Sequence, residues 1–521
     1  MGGWLAEEGK KAVNIRLATL RWKSVWIPAV VVLSCWAPLS RADEAGQKAV
    51  AETRQALRQE GFKTDLADFD LSTSPEQRAR EAILKEAVEE PAPTITNEDL
   101  PDAPRHWSHR PYRPSPISLN EDSPDLMEAV ESNSAAVVWR LASPGKPVRR
   151  GPSLVPLYSW DDFRKALDAK GPRLDRACAA IFAGPIRFDL RRKASGSYRE
   201  PPLNQIKGLM RSLDNRLVLA LRDGNPAAAW TNLLAATRLV TAREPEPLQK
   251  CHLARFKATE LAFGATWQAL QTNGWPDAQL ARLQAEWEPV DFFTGLPDTA
   301  AYGRASEAAF FQRERLMPRP AAPFGEFMAW ALRFPVMVWE MQNEEWRHEQ
   351  YLQHGSYVDE AAMLHHYRDA EVELRRAVSA PTWSEMGRMP RVLRPYPINA
   401  QTIKDLLGHA AVAEAQRRII IAALALERYR ARHGTYPQSL SGLVPEFLRK
   451  PPTDFMDGQP LRYRLSEDGH FIIYSVGLDC ADNGGRWPPH DRPGPFGDRL
   501  DGLSSSVIVW PLPASLAAVD R

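Results

Sequence analysis

The chain is poor in cysteine, with four in 521 residues. Cys35 lies in the first 42 residues, so Cys178, Cys251 and Cys480 remain, and an odd set allows at most one internal disulfide. Cys178 and Cys251 fall in apparently helical segments, where they either pair or form two small buried thiols. No Cys-x-x-Cys pair and no Cys/His spacing typical of zinc is present, which excludes a zinc finger.

The chain also lacks strong net charge and the short motifs of several large enzyme families. Its formal charge is +1, and such a neutral balance argues against broad nucleic-acid binding. There is no GxGxxG after a predicted strand, no GxxxxGK[ST], no GxSxG and no HExxH. These absences make an enzyme less expected, although a site can still assemble from residues distant in sequence.

A short apolar run near the N-terminus predicts an export signal. Val25 to Leu39 is shorter than the roughly 20 residues of a membrane-spanning helix, and two prolines interrupt it. Basic residues precede the run, and Ser40-Arg41-Ala42 follows it, so we expect residues 1–42 to be a signal peptide cleaved after Ala42. The protein is then periplasmic or otherwise associated with the cell envelope. The alternative is a protein anchored by an uncleaved signal.

Two helices and a linker are predicted after the signal. Residues 43–90 show helical spacing in two segments, and the second begins with Ser74 as N-cap, Pro75 in the first turn and Gln77 placed for a capping box. Residues 91–117 contain so many prolines that they favour an extended linker.

Residues 118–410 have the periodicity of a helical domain, broken by short turns that contain Gly, Pro, Asn and Asp. Short connections favour antiparallel neighbours, so we expect a mainly α protein built as a hairpin array or bundle, without a fixed repeat period. The clearest predicted helices are Leu203 to Leu221, Ala227 to Thr241, Leu248 to Asn273 and Asp277 to Trp287.

One aromatic stretch in this domain, Phe324 to Met341, raises the question of membrane contact. It includes Glu326, Arg333 and Pro335, so we interpret it as a buried helix pair broken at the proline. Peripheral contact with a membrane interface is the alternative.

The C-terminal region predicts a small α+β domain, in which a long helix covers a short antiparallel sheet. Gly434 ends the helix, a second short helix follows from Leu440 to Leu448, and Leu461 to Leu465 pairs with His470 to Val476 in a hairpin. The long helix carries an apolar face at spacings of three and four, formed by Val412, Ala415, Ile419, Ala422, Leu426 and Tyr429.

Three motifs of this region appear in a recognisable order: Gly434-Thr-Tyr-Pro, Asp454-Phe-Met-Asp-Gly-Gln-Pro, and Ser475-Val-Gly-Leu-Asp-Cys. In this order the region resembles the periplasmic domain of the major pseudopilin of type II secretion. The resemblance covers residues 411–513 and leaves 514–521 as a tail. The family's N-terminal prepilin signal, which is continuous with the long helix, is missing here.

The resemblance implies a calcium loop, because the family binds calcium after its last Gly-x-Asp. Calcium accepts many carboxylate and carbonyl oxygens in flexible geometry. The insertion Arg486 to Phe496 divides this loop, and the alternative is an acidic surface turn closed by hydrogen bonds. The candidate ligands carried over from the family are Asp479, Asp482, Asn483, Asp498 and Asp501.

Two functions follow from the sequence. The first is a non-catalytic envelope protein that binds protein partners in an assembly or scaffold role, with no catalytic residue assigned. The alternative is a hydrolase-like enzyme whose site, between the helical and C-terminal domains, uses residues such as Glu345, His348 and His365. Glu345 and His348 have the spacing of a metal-binding helix pair, but the second Glu-x-x-His of a di-iron bundle is missing.

Overall fold

A computed structural model describes the helical region and most of the C-terminal motifs. The described residues are 44–88, 149–150, 153–154, 164–165, 167–190, 201–244, 246–270, 272, 274–316, 352, 355–386, 400–465, 470–485 and 508–510. The predicted signal (1–42), the linker (91–117), the stretch Phe324 to Met341 and the tail (514–521) lie outside them.

The predicted fold class is confirmed, because the described residues are mainly helical and carry a small antiparallel sheet near the C-terminus. The helices are α1 (Glu44–Gln59), α2 (Pro75–Glu86), α3 (Gly171–Phe182), α4 (Leu203–Arg222), α5 (Pro226–Thr241), α6 (Gln249–Leu270), α7 (Asp277–Trp287), α8 (Leu296–Leu316), α9 (Ser356–Val378), α10 (Trp383–Met386) and α11 (Ala400–His433). The strands are β1 (Arg149–Arg150), β2 (Ser153–Leu154), β3 (Arg462–Leu465), β4 (Phe471–Ser475) and β5 (Ile508–Trp510).

Local capping explains where α2 and α5 begin. Ser74 Oγ accepts a hydrogen bond from the Gln77 amide at 3.2 Å, and Gln77 Oε1 accepts one from the Ser74 amide at 3.0 Å, with Pro75 in the first turn. This is the predicted capping box of α2. The Asn225 side chain caps α5 in the same way, accepting from the Ala228 amide at 3.1 Å.

Helices joined by short connections pack against each other, as predicted for α4, α5 and α6, and α8 packs on α9 although residues 317–355 separate them. α4 lies on α5, and both contact α6, while α8 lies on α9. In the pair formed by α8 and α9, the fully buried Arg304 donates to Glu371 at 2.8 Å and to the Lys63 carbonyl at 2.8 Å. Buried charges are tolerated when they are paired and hydrogen-bonded, as here.

α11 joins the helical region to the sheet. It packs against α6 and α7 on one side and against β4 and β5 on the other, and Ile419, Ile420 and Leu424 are fully buried. A helix that is apolar on several faces belongs between two layers. Residues 410 and 411, between which we placed a domain boundary, both lie inside α11, and one hydrophobic core extends from Val50 to Trp510.

The sheet has the strand order β3-β4-β5, with antiparallel pairs. β3 and β4 form the predicted hairpin, in register from Arg462 opposite Tyr474 to Leu465 opposite Phe471. The helix expected from Leu440 to Leu448 is shorter, a 3-10 turn over Leu440–Leu443. Pro445 follows it, and proline has no amide hydrogen to continue a helix and disfavours helical backbone at the preceding residue.

Cys178 and Cys251 are buried thiols without a disulfide bond. Among the described helices, none combines the length and the apolar character that crossing a membrane requires.

Candidate functional site

The three motifs that carry the resemblance meet at one end of α11 and on the sheet. In the first motif, Gly434 has φ +78°, which ends α11 in the left-handed conformation that glycine adopts without strain. Tyr436 follows and is buried, and its ring meets that of Phe471 edge-on with a centroid distance of 4.9 Å. Its hydroxyl donates to Glu427 at 2.6 Å, so the turn after α11 is hydrogen-bonded back to the helix.

Asp454, the first residue of the second motif, holds the third motif in place. Its carboxylate is fully buried and accepts from Ser475 Oγ at 2.8 Å and from the Val476 amide at 2.9 Å. It also accepts from the Met456 amide at 3.0 Å within its own turn. The second and third motifs are therefore joined by one buried carboxylate.

Arg462, in β3, lies among three carboxylates of the same region. Its Nη2 donates to Asp457 at 2.6 Å, its Nη1 lies 3.3 Å from Asp454, and its Nε lies 3.3 Å from Asp482. Asp482 also accepts from the Tyr474 hydroxyl at 3.0 Å and from the Gly484 amide at 2.9 Å. We call Arg462 with Asp454, Asp457 and Asp482 the arginine–carboxylate cluster.

The protonation behaviour of the cluster follows from its contacts. Burial raises the pKa of Asp454, and the hydrogen bonds from Met456, Val476 and Ser475 oppose that rise. Burial also acts to raise the pKa of Asp457, but hydrogen bonds from Arg462 outweigh it and the pKa is lowered. The Gly484 amide, then Tyr474 and Arg462, lower the pKa of Asp482. Asp457 and Asp482 are thus carboxylates at neutral pH.

Three of the five predicted calcium ligands, Asp479, Asp482 and Asn483, are described by the structure and lie in or beside this cluster. Asp482 belongs to the cluster, and Asp479 lies on the same exposed turn, where its Oδ1 accepts from the Ala481 amide at 3.1 Å. Asn483 is exposed, and Asp498 and Asp501 lie outside the described residues. Within the part of the chain that the structure describes, no group of three His, Cys, Asp or Glu side chains is arranged to hold a metal ion.

The outer edge of the sheet carries an open surface. β3 pairs with β4 on one side, and no described strand pairs with its other side. An open depression along this edge is lined by residues 459–464 and Tyr474. Arg464 is exposed here. Edge strands present amide and carbonyl groups with which another strand can pair.

The contact between the helical region and the C-terminal motifs is filled by packed side chains where it is described. Trp383 Nε1 donates to the Leu478 carbonyl at 2.8 Å, and the ring of Phe263 meets that of Trp510 edge-on at 5.1 Å. Arg418 donates to the Thr453 carbonyl at 3.0 Å.

Of the residues named for the hydrolase alternative, the structure describes only His365. His365 is exposed on α9. The rings of the two residues that follow it in sequence, His366 and Tyr367, have their centroids 6.0 Å apart. Glu360, one helical turn earlier on the same helix, is fully buried between the guanidinium groups of Arg54 and Arg315. Glu345 and His348 lie outside the described residues.

A second polar cluster is buried inside the helical region. His252 is 4% exposed, and its Nε2 has no hydrogen-bond partner among the residues that the structure describes. Arg243 donates to Glu246 at 3.0 Å, and Arg255 donates to the Val240 carbonyl at 3.1 Å. Burial, followed by the charges of Arg255 and Arg243, lowers the pKa of His252 to about 3.

Sequence reasoning missed Arg462 and the role of Asp454. The signal for Asp454 was present, because an aspartate that opens a turn commonly accepts a hydrogen bond from a backbone amide two residues later. Arg462 had no local signal, because its three partners come from segments up to 20 residues apart.

Comparison of the chain with protein-family models, curated proteins and solved structures found no match.

Proposed function

We propose that this chain is an exported cell-envelope protein with a non-catalytic assembly or scaffold role. In this proposal the helical region and α11 form a rigid support, and the C-terminal sheet presents a docking surface for a protein partner. The proposed partner is a protein of the cell envelope, and nucleic acid is not a proposed ligand.

The open edge of β3 is the observation that carries the proposal. Its outer side has no strand partner among the described residues, and Arg464 stands exposed beside the depression. An added strand gains main-chain hydrogen bonds at such an edge, while side chains in the depression provide selectivity. The strands β4 and β5 of the same sheet pack on α11, and this contact sets the orientation of the β3 edge.

The packed contact between the helical region and the C-terminal motifs also favours a scaffold role over a catalytic role. Catalytic pockets are concave and collect polar groups that face a ligand. The described part of this contact includes Trp383, Phe263 and Trp510 in close packing, with Arg418 bound to a backbone carbonyl.

Photo-crosslinking in living cells tests the docking surface. A photoreactive residue at position 464 should give a discrete adduct with one envelope protein, while the same residue at Lys48, exposed on α1, should give none. Equal adduct patterns at the two positions would contradict the docking surface.

Export is tested separately. Mass spectrometry of the protein from the cell envelope should find an N-terminus at Asp43. Recovery of the chain from the cytoplasm with Met1 intact would remove the exported role.

A further inference from the structure

The arginine–carboxylate cluster ties together three separate stretches of chain. Asp454 and Asp457 come from the turn before β3, Arg462 from β3 itself, and Asp482 from the turn after β4. Asp454 is fully buried, and the Arg462 side chain is 19% exposed, so the interaction is protected from much of the solvent. One cation therefore bridges the segments that carry the second and third motifs.

The carboxylate oxygens of the cluster are already occupied by hydrogen-bond donors. Asp454 Oδ1 accepts from Ser475 and Met456, and its Oδ2 accepts from Val476 and lies within reach of Arg462. Asp457 Oδ1 accepts from the Gln459 amide and from Arg462 Nη1. Asp457 Oδ2 accepts from Arg462 Nη2.

Asp482 completes the set. Its Oδ1 accepts from Tyr474 and Gly484, and its Oδ2 faces Arg462. Calcium binds through six to eight oxygens at 2.3–2.6 Å, so it would have to take these oxygens from their present donors.

The guanidinium also supplies the positive charge that such a cluster needs. Hydrogen bonds from Arg462 to Asp457 are the main cause of a raised pKa at Arg462, which stays charged at every accessible pH. A metal ion bound by the same oxygens would lie beside this charge and be repelled by it. The oxygens of the cluster therefore do not fit calcium while Arg462 is in place.

We infer that Arg462 is the resident cation of the acidic C-terminal segments and takes the structural place that the pseudopilin resemblance assigns to calcium. The turn after β4 is then ordered by a side chain of the protein itself, and its order is independent of divalent metal. This inference does not depend on the proposed assembly role.

Hydrogen–deuterium exchange of the full chain tests it, with and without calcium and with a chelator. In the wild-type protein, peptides covering residues 476–485 should exchange at the same rate in all three conditions. In Arg462→Gln, exchange in these peptides should accelerate at least about tenfold, because charge-assisted hydrogen bonds to two segments are lost.

Arg464→Gln is the matched control, because Arg464 lies two residues further along the same strand and is exposed. It should leave exchange in 476–485 unchanged. Slower exchange of the wild-type segment in calcium would overturn the inference, as would equal exchange in Arg462→Gln and Arg464→Gln. Since exchange is read peptide by peptide, unchanged protection of α6 and α7 identifies a local effect and excludes misfolding of the variant.

Discussion

The buried His252 should make the protein sensitive to mild acid. Its pKa is lowered to about 3 in the folded chain, whereas an unfolded histidine titrates near 6.5. Below about pH 6.5 the imidazole is therefore protonated in the unfolded state but stays neutral in the folded state. The free energy of unfolding then decreases as pH falls toward 3. Above about pH 7.5 both states are neutral at this residue, and its contribution no longer changes.

The magnitude follows from linkage. One pKa unit corresponds to about 1.4 kcal/mol, so the free energy of unfolding should fall by about 2 kcal/mol between pH 7.5 and pH 5 on account of His252 alone. The side chain is 4% exposed, so solvent screening reduces this value little. The neighbouring charges of Arg243 and Arg255 act in the same direction as burial.

The assay compares urea unfolding of the wild-type chain and of His252→Gln across this pH range. The quantity to measure is the free energy of unfolding of the wild type minus that of His252→Gln. This difference should decrease by about 2 kcal/mol between pH 7.5 and pH 5. Other titrating groups cancel in this difference. One is Asp214, whose pKa is raised by burial to about 7 and whose own contribution is lost as pH rises.

His365→Gln is the matched control, because His365 is exposed on α9. Parallel stability curves for the wild type and His252→Gln would refute the argument that the imidazole is buried beside two arginines.

Further predictions concern packing and buried hydrogen bonds, and all are measured by urea unfolding. Gly303→Ala should cost about 2 kcal/mol, because the added Cβ would lie 2.3 Å from Tyr367 Cε1. Gly264 is also in a helix, but an added Cβ there would meet no described atom of another segment within 4 Å, so Gly264→Ala should stabilise the protein by roughly 0.5–1 kcal/mol. Equal effects of the two substitutions would contradict the close contact of α8 with α9. Tyr436→Phe should cost about 2 kcal/mol because the hydroxyl donates to the half-buried carboxylate of Glu427. Tyr463→Phe, which loses a hydrogen bond to a neutral carbonyl, should cost about 1 kcal/mol, and the reverse order would show that the turn after α11 is held by other contacts.

The helices were predictable because their ends carry local signals. α7 begins and ends at the predicted residues, and the capping box at Ser74 was visible as a pattern of three side chains. The hairpin of β3 and β4 followed from alternation and turn residues. Such features depend on neighbours within a few positions, which a sequence displays directly.

The arrangement of the candidate site was less predictable because it depends on contacts between distant segments. Asp482 was named as a ligand for a cation, and it does face one, but that cation is the guanidinium of Arg462. Nothing in the residues around Arg462 indicates three carboxylate partners. The packing of α11 on the sheet was expected from its apolar face, whereas the continuity of the core across residue 410 was not.

The continuity of α11 has a mechanical consequence. Its 34 residues make a rod about 50 Å long, and the C-terminal half of this rod contacts the helical region and the C-terminal motifs at the same level, since Arg417 donates to the Trp287 carbonyl and Arg418 to the Thr453 carbonyl. A force applied to the C-terminal sheet would therefore pass directly into the helical region, because both pack on one unbroken helix. The sheet and the helical region should thus respond to an applied load as one unit.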